Sequence, residues 1–147
     1  MNTDNKILLV LDLDETLIHS EKQPLNHKHD FKVFSFYVYQ RPNLIEFLNE
    51  MSKIYSLAVW SAGADIYVDR VVKNIFTDKI PLEFVWARSK CNFAGHPLSK
   101  NKNVNDSSLY TKDLSVIKKY GYSMERILIV DDTPRVCIKN LANAIFP

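Results

Sequence analysis

Residues 7–16 read ILLVLDLDET, a continuous aliphatic run that leads directly into acidic side chains. An apolar run of this length is typical of a short strand buried on both faces, as the strands of a parallel sheet are. The carboxylates of Asp12 and Asp14 follow that strand at once. Because open α/β sheets bind ligands beyond the carboxyl ends of their strands, the sequence predicts chemistry at this junction.

The rest of the chain alternates between strand-like and helix-like patterns. Apolar runs predict strands at 55–60, 84–87, 126–130 and 144–146, and helical spacing predicts helices at 42–51, 65–76, 114–120 and from 134 onward. Residues 31–39, rich in β-branched and aromatic side chains, predict extended structure outside this alternation. Nearly all-apolar strands between helices indicate a parallel sheet covered on both faces. We therefore expect residues 1–147 to form a single α/β domain, doubly wound around a central parallel sheet.

Two of the predicted helices carry capping residues at their ends. Gly121, just past the helix at 114–120, predicts a left-handed C-cap. Thr133 is predicted to cap the last helix, with Pro134 at its first position.

Composition excludes several classes of protein. Apolar residues make up 46% and charged residues 24% of the 147 residues, which is typical of a globular domain. The net charge of +2 is too small for a general field that attracts nucleic acid or anionic lipid. The three glycines lie at least 26 residues apart, so neither a G-x-G-x-x-G fingerprint nor a glycine-rich P-loop is present. A phosphate site in this chain must therefore be built from side chains.

Cysteine usage and the amino-terminal residues predict an intracellular protein. Cys91 and Cys137 lack metal-ligand spacing, so we expect no structural zinc. Residues 1–6 are polar and Asp12 and Asp14 interrupt the apolar run that follows, which predicts neither a secretory signal nor a membrane span. We expect a cytoplasmic location with reduced thiols, or a nuclear one if the source is eukaryotic.

Polar residues also follow the later predicted strands. Asp131 and Asp132 come directly after the strand at 126–130, and Ser61 follows the strand at 55–60. Asp12 and Asp14 follow the first strand. If that strand and the strand at 126–130 are both central and parallel, four carboxylates meet at one edge of the sheet. Two charges about 4 Å apart repel by several kcal/mol at an effective dielectric constant near 20. Such a cluster requires protonation, a basic neighbour such as Lys112, or a bound cation, for which oxygen ligands favour Mg²⁺.

Each of these residues alone is more often a helix cap or a solvated side chain. Complementary groups from four separate segments at one sheet edge indicate a functional site instead.

The segment 11–17, LDLDETL, resembles the D-x-D-x-T motif of the haloacid-dehalogenase superfamily. With Ile-His-Ser at 18–20, it looks like the branch of small NLI-interacting-factor-like phosphatases that includes the RNA polymerase II carboxy-terminal-domain phosphatases. Further agreement follows in order along the chain, at Arg41-Pro42, Ser61-Ala62, Tyr67, residues 110–114 (YTKDL) and residues 130–134 (VDDTP). The resemblance extends from Leu8 to Ile145, and it implies a haloacid-dehalogenase-like fold.

The resemblance also implies a mechanism. Asp12 is expected to be the nucleophile that forms an aspartyl-phosphate, and Asp14 the general acid that later serves as base. Ser61 and Lys112 complete the catalytic set by screening charge, together with Mg²⁺. The acids expected around the metal are Asp12, Asp14 through its backbone carbonyl, and Asp132, while Asp131 holds Lys112 or a water of the metal.

Three further residues are assigned to substrate binding by the resemblance. Thr16 is expected to support the loop, Tyr67 to line the pocket, and Arg88 to lie near the substrate phosphate. A core position for Tyr67 and a solvated position for Arg88 are the alternatives. Ser61 stands where the relatives carry threonine, and either hydroxyl donates one hydrogen bond.

The expected substrate is a phosphoprotein carrying phosphoserine or phosphothreonine. The chain leaves no room for a large cap domain, so residues 18–39 are predicted to form a β-hairpin flap and residues 88–111 an insertion facing the substrate. We expect a monomer that binds neither nucleic acid nor membrane directly. A small-molecule phosphatase, and a catalytically weak phosphate-binding or protein-interaction module on the same fold, are the alternative functions. A response-regulator receiver is disfavoured because Ala87-Arg88 follows the third predicted strand, where a receiver carries its acceptor aspartate.

Overall fold

The chain forms a first strand, then a hairpin, and then alternating strands and helices. This computed structural model describes residues 5–94 and 109–147. The strands are β1 (Leu8–Leu11), β2 (Ile18–Glu21), β3 (Phe31–Val33), β4 (Phe36–Gln40), β5 (Ser56–Trp60), β6 (Leu82–Trp86), β7 (Asn92–Phe93), β8 (Tyr110–Thr111), β9 (Ile127–Val130) and β10 (Ala144–Ile145). The α-helices are α1 (Leu44–Ile54) and α2 (Asp65–Ile75), and 3₁₀ helices occupy Arg88–Lys90, Leu114–Tyr120, Met124–Arg126 and Pro134–Asn143.

The aliphatic run forms the middle strand of the central sheet, as predicted. The sheet has five strands in the order β10-β9-β1-β5-β6, and every neighbouring pair is parallel. All four residues of β1 are buried, because helices cover both faces of the sheet. The expected single α/β domain with a central parallel sheet is confirmed.

Side chains of β1 alternate between two separate apolar clusters. Leu9 and Leu11 pack with residues of α1 and α2 on one face. Leu8 and Val10 pack with Trp60 and the 3₁₀ helix Leu114–Tyr120 on the other. This alternation is the period-two pattern of a strand, and each buried aliphatic side chain contributes about 1.5–3 kcal/mol. The two clusters therefore hold β1 rigidly and fix the position of the residues that follow it.

The hairpin predicted after the first strand is present as a separate antiparallel sheet with the order β2-β4-β3. The extended segment predicted at 31–39 is interrupted between β3 and β4, where Phe34 adopts a left-handed φ of 53°. Periodicity alone misses this turn because its aromatic residues continue the strand-like composition. We call residues 18–40 the flap.

Helix ends agree with the sequence at Gly121 and differ elsewhere. Gly121 is the C-cap, with φ 92°. The helix predicted from residue 42 begins at Leu44, after Asn43 in the left-handed region. Thr133 lies at the predicted N-cap position, before Pro134, but its side chain makes no capping hydrogen bond, because its hydroxyl donates to Asp132 Oδ1 at 3.1 Å. The N–H of Thr133 donates to Asp131 Oδ1 at 2.9 Å, which fixes the loop before the helix.

Within residues 5–94 and 109–147, no helix has the length and apolar character needed to span a membrane. The central part of the predicted substrate-facing insertion, residues 95–108, lies outside the described residues.

Candidate active site

The side chains that follow the central strands meet at the carboxyl edge of the sheet. Leu11 pairs with Val130 in parallel register, so Asp12 after β1 lies level with Asp131 after β9. Ser61 follows β5 at the same edge. These residues line one open cleft of about 520 Å³. The other predicted site residues that line it are Asp14, Tyr67, Arg88, Lys112 and Asp132.

A tight loop after β1 brings Asp12 and Asp14 to the same cleft. The carbonyl of the fully buried Leu13 accepts the N–H of Thr16 at 3.1 Å, so the chain turns back at once. Glu15 adopts a left-handed φ of 61° in this loop, which costs a non-glycine residue about 1–2 kcal/mol. The burial of Leu13 and the hydrogen bonds of the loop hold the chain in that conformation.

Lys112 links the two buried carboxylates. Its Nζ donates to Asp12 Oδ1 at 2.9 Å and to Asp131 Oδ2 at 2.7 Å, and only 1% of its side chain is exposed. The backbone of Lys112 is held as well, since its N–H donates to the Val136 carbonyl and its carbonyl accepts from Asn140 Nδ2. A buried ammonium that donates to two carboxylates holds both of them in place at the floor of the cleft.

Burial and the neighbouring charges shift the pKa values of Asp12 and Lys112 in opposite directions. Burial raises the pKa of Asp12 to about 6, although the ammonium of Lys112 lowers it. Burial alone would lower the pKa of Lys112, but the charges of Asp12 and Asp131 outweigh that effect and raise it. At neutral pH Asp12 is therefore mostly ionised and Lys112 is fully charged.

The acidic cluster fits a divalent cation. One carboxylate oxygen from each of Asp12, Asp131 and Asp132 lies within 4.8 Å of the other two. One ammonium facing three carboxylates leaves net negative charge, and oxygen donors are the ligands that hard divalent cations prefer. The side chain of Asp14 lies outside this group. Its predicted contribution through the backbone carbonyl stays a prediction.

Thr16 hydrogen-bonds the carboxylate of Asp12, the candidate nucleophile. Its Oγ1 donates to Asp12 Oδ2 at 2.9 Å and is buried. Both oxygens of Asp12 are thus engaged, one by Thr16 and the other by Lys112. Among the described residues Thr16 is not part of the cleft wall, so the structure places it against Asp12 rather than where a substrate would lie.

Asp14 has hydroxyl neighbours from two other elements. Tyr67 on α2 donates its hydroxyl proton to Asp14 Oδ1 at 2.7 Å, and Ser20 on β2 lies 3.3 Å from the same oxygen. Burial raises the pKa of Asp14, and these hydrogen bonds oppose the shift. A carboxyl with a raised pKa keeps its proton closer to neutral pH, as a general acid requires.

Ser61 and Arg88 line the cleft after β5 and β6, and both make hydrogen bonds to the backbone there. Ser61 is buried, and its Oγ accepts the N–H of Gly63 at 3.0 Å. Arg88 Nε donates to the carbonyl of Ala62 at 2.9 Å, and the guanidinium carbon lies 5.1 Å from the centre of the Tyr110 ring. Arg88 is therefore anchored at the cleft, which differs from the solvated alternative.

Sequence reasoning assigned no role to several residues of the flap that form one wall of the cleft. These are Ser20, Lys22, Phe34 and Phe36. The motif contains Ser20, but its contact with Tyr67 joins residues 47 positions apart. Only the alternation within β2, where Ile18 is buried, indicates that Ser20 shares a face with it.

The chain is similar to known proteins in sequence and in fold. A family model described as NLI interacting factor-like phosphatase matches residues 7–147. The chain is 30% identical over 148 residues to the human carboxy-terminal domain RNA polymerase II polypeptide A small phosphatase 1. This alignment covers 96% of the chain and 51% of the human protein. The chain thus spans about half the length of this curated relative.

Solved structures share the fold. The fission yeast RNA polymerase II CTD phosphatase Fcp1 has a TM-score of 0.66 and 22% identity, covering 96% of this chain and 41% of that one. A predicted haloacid-dehalogenase-like hydrolase from Porphyromonas gingivalis has a TM-score of 0.57 and 14% identity, covering 97% and 91%. At these identities the likeness concerns the fold, and it confirms the expected haloacid-dehalogenase-like architecture.

Proposed function

The chain belongs to the NLI interacting factor-like phosphatase family, and on that premise we propose that it hydrolyses phosphate monoesters through an aspartyl-phosphate at Asp12. One observation carries the proposal. The buried carboxylate of Asp12 accepts hydrogen bonds from Thr16 and Lys112. It lies in the same open cleft as the carboxyl of Asp14, which accepts a hydrogen bond from Tyr67. A nucleophile and a general acid with separate supports are the two groups that such a reaction needs.

The first step transfers the phosphoryl group to the protein. Asp12 attacks phosphorus, the bond between phosphorus and the ester oxygen breaks, and Asp14 gives its proton to the departing oxygen. Lys112 and Ser61 reduce the repulsion between the Asp12 carboxylate and the anionic substrate. General acid catalysis of this kind contributes about 10²–10⁴-fold.

The second step restores the enzyme. Asp14, now ionised, takes a proton from a water molecule, whose oxygen attacks the phosphorus of the aspartyl-phosphate. The bond between phosphorus and the Asp12 oxygen breaks, so inorganic phosphate leaves and Asp12 is again a carboxylate. Asp14 ends the cycle protonated, as it began.

We propose Mg²⁺ as the cation, held by the carboxylates of Asp12 and Asp132 and by the backbone carbonyl of Asp14. Asp131 serves that site by holding Lys112 in place. When bound, the cation neutralises negative charge shared between the acidic cluster and the substrate phosphate.

The proposed substrate is a phosphoserine or phosphothreonine in a protein. The cleft is open, and the flap exposes apolar surface at its wall, with Phe34 57% exposed. A phosphorylated side chain on an extended segment can reach such a site while its neighbours lie along the wall. We propose that the enzyme acts as a monomer in the cytoplasm or nucleus, consistent with the free thiols of Cys91 and Cys137.

A substrate panel tests this proposal. Wild type and Asp12→Asn are compared on phosphoserine and phosphothreonine peptides and on small phosphometabolites, with Mg²⁺ and with excess EDTA. We expect phosphopeptide hydrolysis that needs Mg²⁺ and is abolished in Asp12→Asn. Faster hydrolysis of the metabolites would make this a small-molecule phosphatase. Phosphate binding without turnover by wild type would make it a binding module.

A further inference from the structure

The carboxyl of Asp14 is held on one side by hydroxyl groups from two distant segments. Tyr67 comes from α2 and Ser20 from the flap strand β2, and both lie against Oδ1, at 2.7 and 3.3 Å. The oxygens of Tyr67 and Ser20 are themselves 3.0 Å apart. These three side chains form a closed triangle at the wall of the cleft.

The protons in this triangle can be assigned by counting. The phenol of Tyr67 has one hydroxyl proton, so it can donate only one hydrogen bond. We assign that bond to Asp14 Oδ1, at 2.7 Å, because the distance to Ser20 Oγ is longer, at 3.0 Å. The hydroxyl of Ser20 is then the donor toward Tyr67 or Asp14. Oδ1 of Asp14 is occupied as an acceptor, and no described residue hydrogen-bonds Oδ2. Oδ2 is therefore the oxygen that carries the proton of the neutral acid and can present it to a ligand in the cleft.

Tyr67 is fixed by packing as well. The ring of Phe36, on β4 of the flap, meets the Tyr67 ring edge to face with centroids 5.8 Å apart. The backbone of Gly63 also approaches the Tyr67 ring closely, since an added Cβ would lie 3.2 Å from Tyr67 Cδ1. The flap thus supplies both Ser20 and Phe36, so its attachment to α2 determines how Asp14 is held.

We propose that Tyr67, supported by Ser20 and the flap, is a positioning residue that orients the Asp14 carboxyl so that Oδ2 delivers the proton to the departing oxygen. This inference rests on the proposed function and adds to it a role for the flap beyond covering the cleft. It also replaces direct substrate binding as the main role of Tyr67, since the single hydroxyl proton is already donated to Asp14.

A positioning role predicts a dependence on the leaving group. The nitrophenolate released from p-nitrophenyl phosphate leaves almost without protonation, whereas phenolate and the serine alkoxide need a proton from Asp14. Loss of a hydrogen bond to a carboxyl that donates this proton should slow the demanding substrates by about tenfold or more, and p-nitrophenyl phosphate by less than about threefold. A residue that only binds the phosphate would affect all three substrates alike.

The test uses Tyr67→Phe and Ser20→Ala, with Tyr120→Phe as a matched control at an exposed tyrosine outside the cleft. Single-turnover release of the leaving group at saturating enzyme reports phosphoryl transfer alone, free of binding and of the second step. We expect Tyr67→Phe to slow phenyl phosphate and a phosphoserine peptide much more than p-nitrophenyl phosphate, Ser20→Ala to do so more weakly, and Tyr120→Phe to change nothing.

Equal losses on all substrates, or an effect confined to the concentration needed for saturation, would overturn the positioning role while leaving the proposed function intact. Failure of wild type to hydrolyse any of them would overturn both. Urea denaturation checks that each variant is folded, and if Tyr67→Phe is not, the same leaving-group comparison on Ser20→Ala decides.

Discussion

Replacing Lys112 by methionine should destabilise the protein far more than a lysine normally does. The substitution keeps most of the apolar stem but removes the ammonium that contacts Asp12 and Asp131 at 2.9 and 2.7 Å. Acidic oxygens within 4.8 Å of one another then repel by about 3 kcal/mol per charged pair at an effective dielectric constant near 20. Removing one partner of a buried ion pair typically costs about 3–5 kcal/mol, which agrees with this estimate.

Urea denaturation in EDTA at pH 7.5 measures the effect, with Lys139→Met as the matched control. Lys139 also pairs with a carboxylate, Asp113, at 3.3 Å, but 53% of its side chain is exposed. The control should therefore cost no more than about 1 kcal/mol. Millimolar Mg²⁺ should restore more stability to Lys112→Met than to wild type, because the variant leaves more negative charge for a cation to neutralise.

If Lys112→Met cost no more free energy of unfolding than Lys139→Met, the Lys112 ammonium would not be offsetting repulsion among the buried carboxylates. If Mg²⁺ stabilised Lys112→Met and wild type equally, the cluster would not be a site of uncompensated negative charge.

Two further predictions concern stability. In EDTA, burial raises the pKa of Asp12 from 3.8 in the unfolded chain to about 6 in the folded protein. Between these two pH values the folded state binds more protons than the unfolded state. The contribution of Asp12 to the free energy of unfolding therefore falls as the pH rises from about 4 to about 6. Asp12→Asn should remove this part of the pH dependence in urea titrations at stepped pH, and parallel curves for the two proteins would contradict it. Gly121→Ala should cost about 1 kcal/mol in the same assay, because Gly121 has φ 92° and no atom within 4 Å of an added Cβ, so only backbone strain acts. Gly121→Asn should cost less, and an alanine variant as stable as wild type would show that the cap is not strained.

The fold followed from the sequence because local pattern and tertiary structure agree in the central sheet. An aliphatic run such as residues 8–11 can hardly be stable except as a strand with both faces covered, and acidic residues directly after two such runs must meet if the strands are neighbours. The position of Asp12 beside Asp131 is thus a consequence of parallel register. The family resemblance then assigned chemistry to residues that pattern alone could only bring together.

The remaining features depend on contacts that no local pattern contains. The turn at Phe34 is built from residues with strand-like composition, and the Thr133 hydroxyl donates to Asp132 instead of capping the last helix. Ser20 and Tyr67 can both hydrogen-bond Asp14 only because the flap lies against α2. This packing brings together two residues that are 47 positions apart in the sequence. The hydroxyls around Asp14 therefore became visible only in three dimensions.

The nucleophilic role of Asp12 is tested most directly by trapping its phosphorylated form. Asp14→Asn lacks the base for the second step, and p-nitrophenyl phosphate needs little acid for the first, so the intermediate should accumulate. We predict a burst of one equivalent of nitrophenolate per enzyme with Mg²⁺, and an intact mass increased by one phosphoryl group located at Asp12. The double variant Asp12→Asn, Asp14→Asn should show neither. Steady turnover without a burst, or a phosphoryl group on another residue, would show that Asp12 is not the nucleophile.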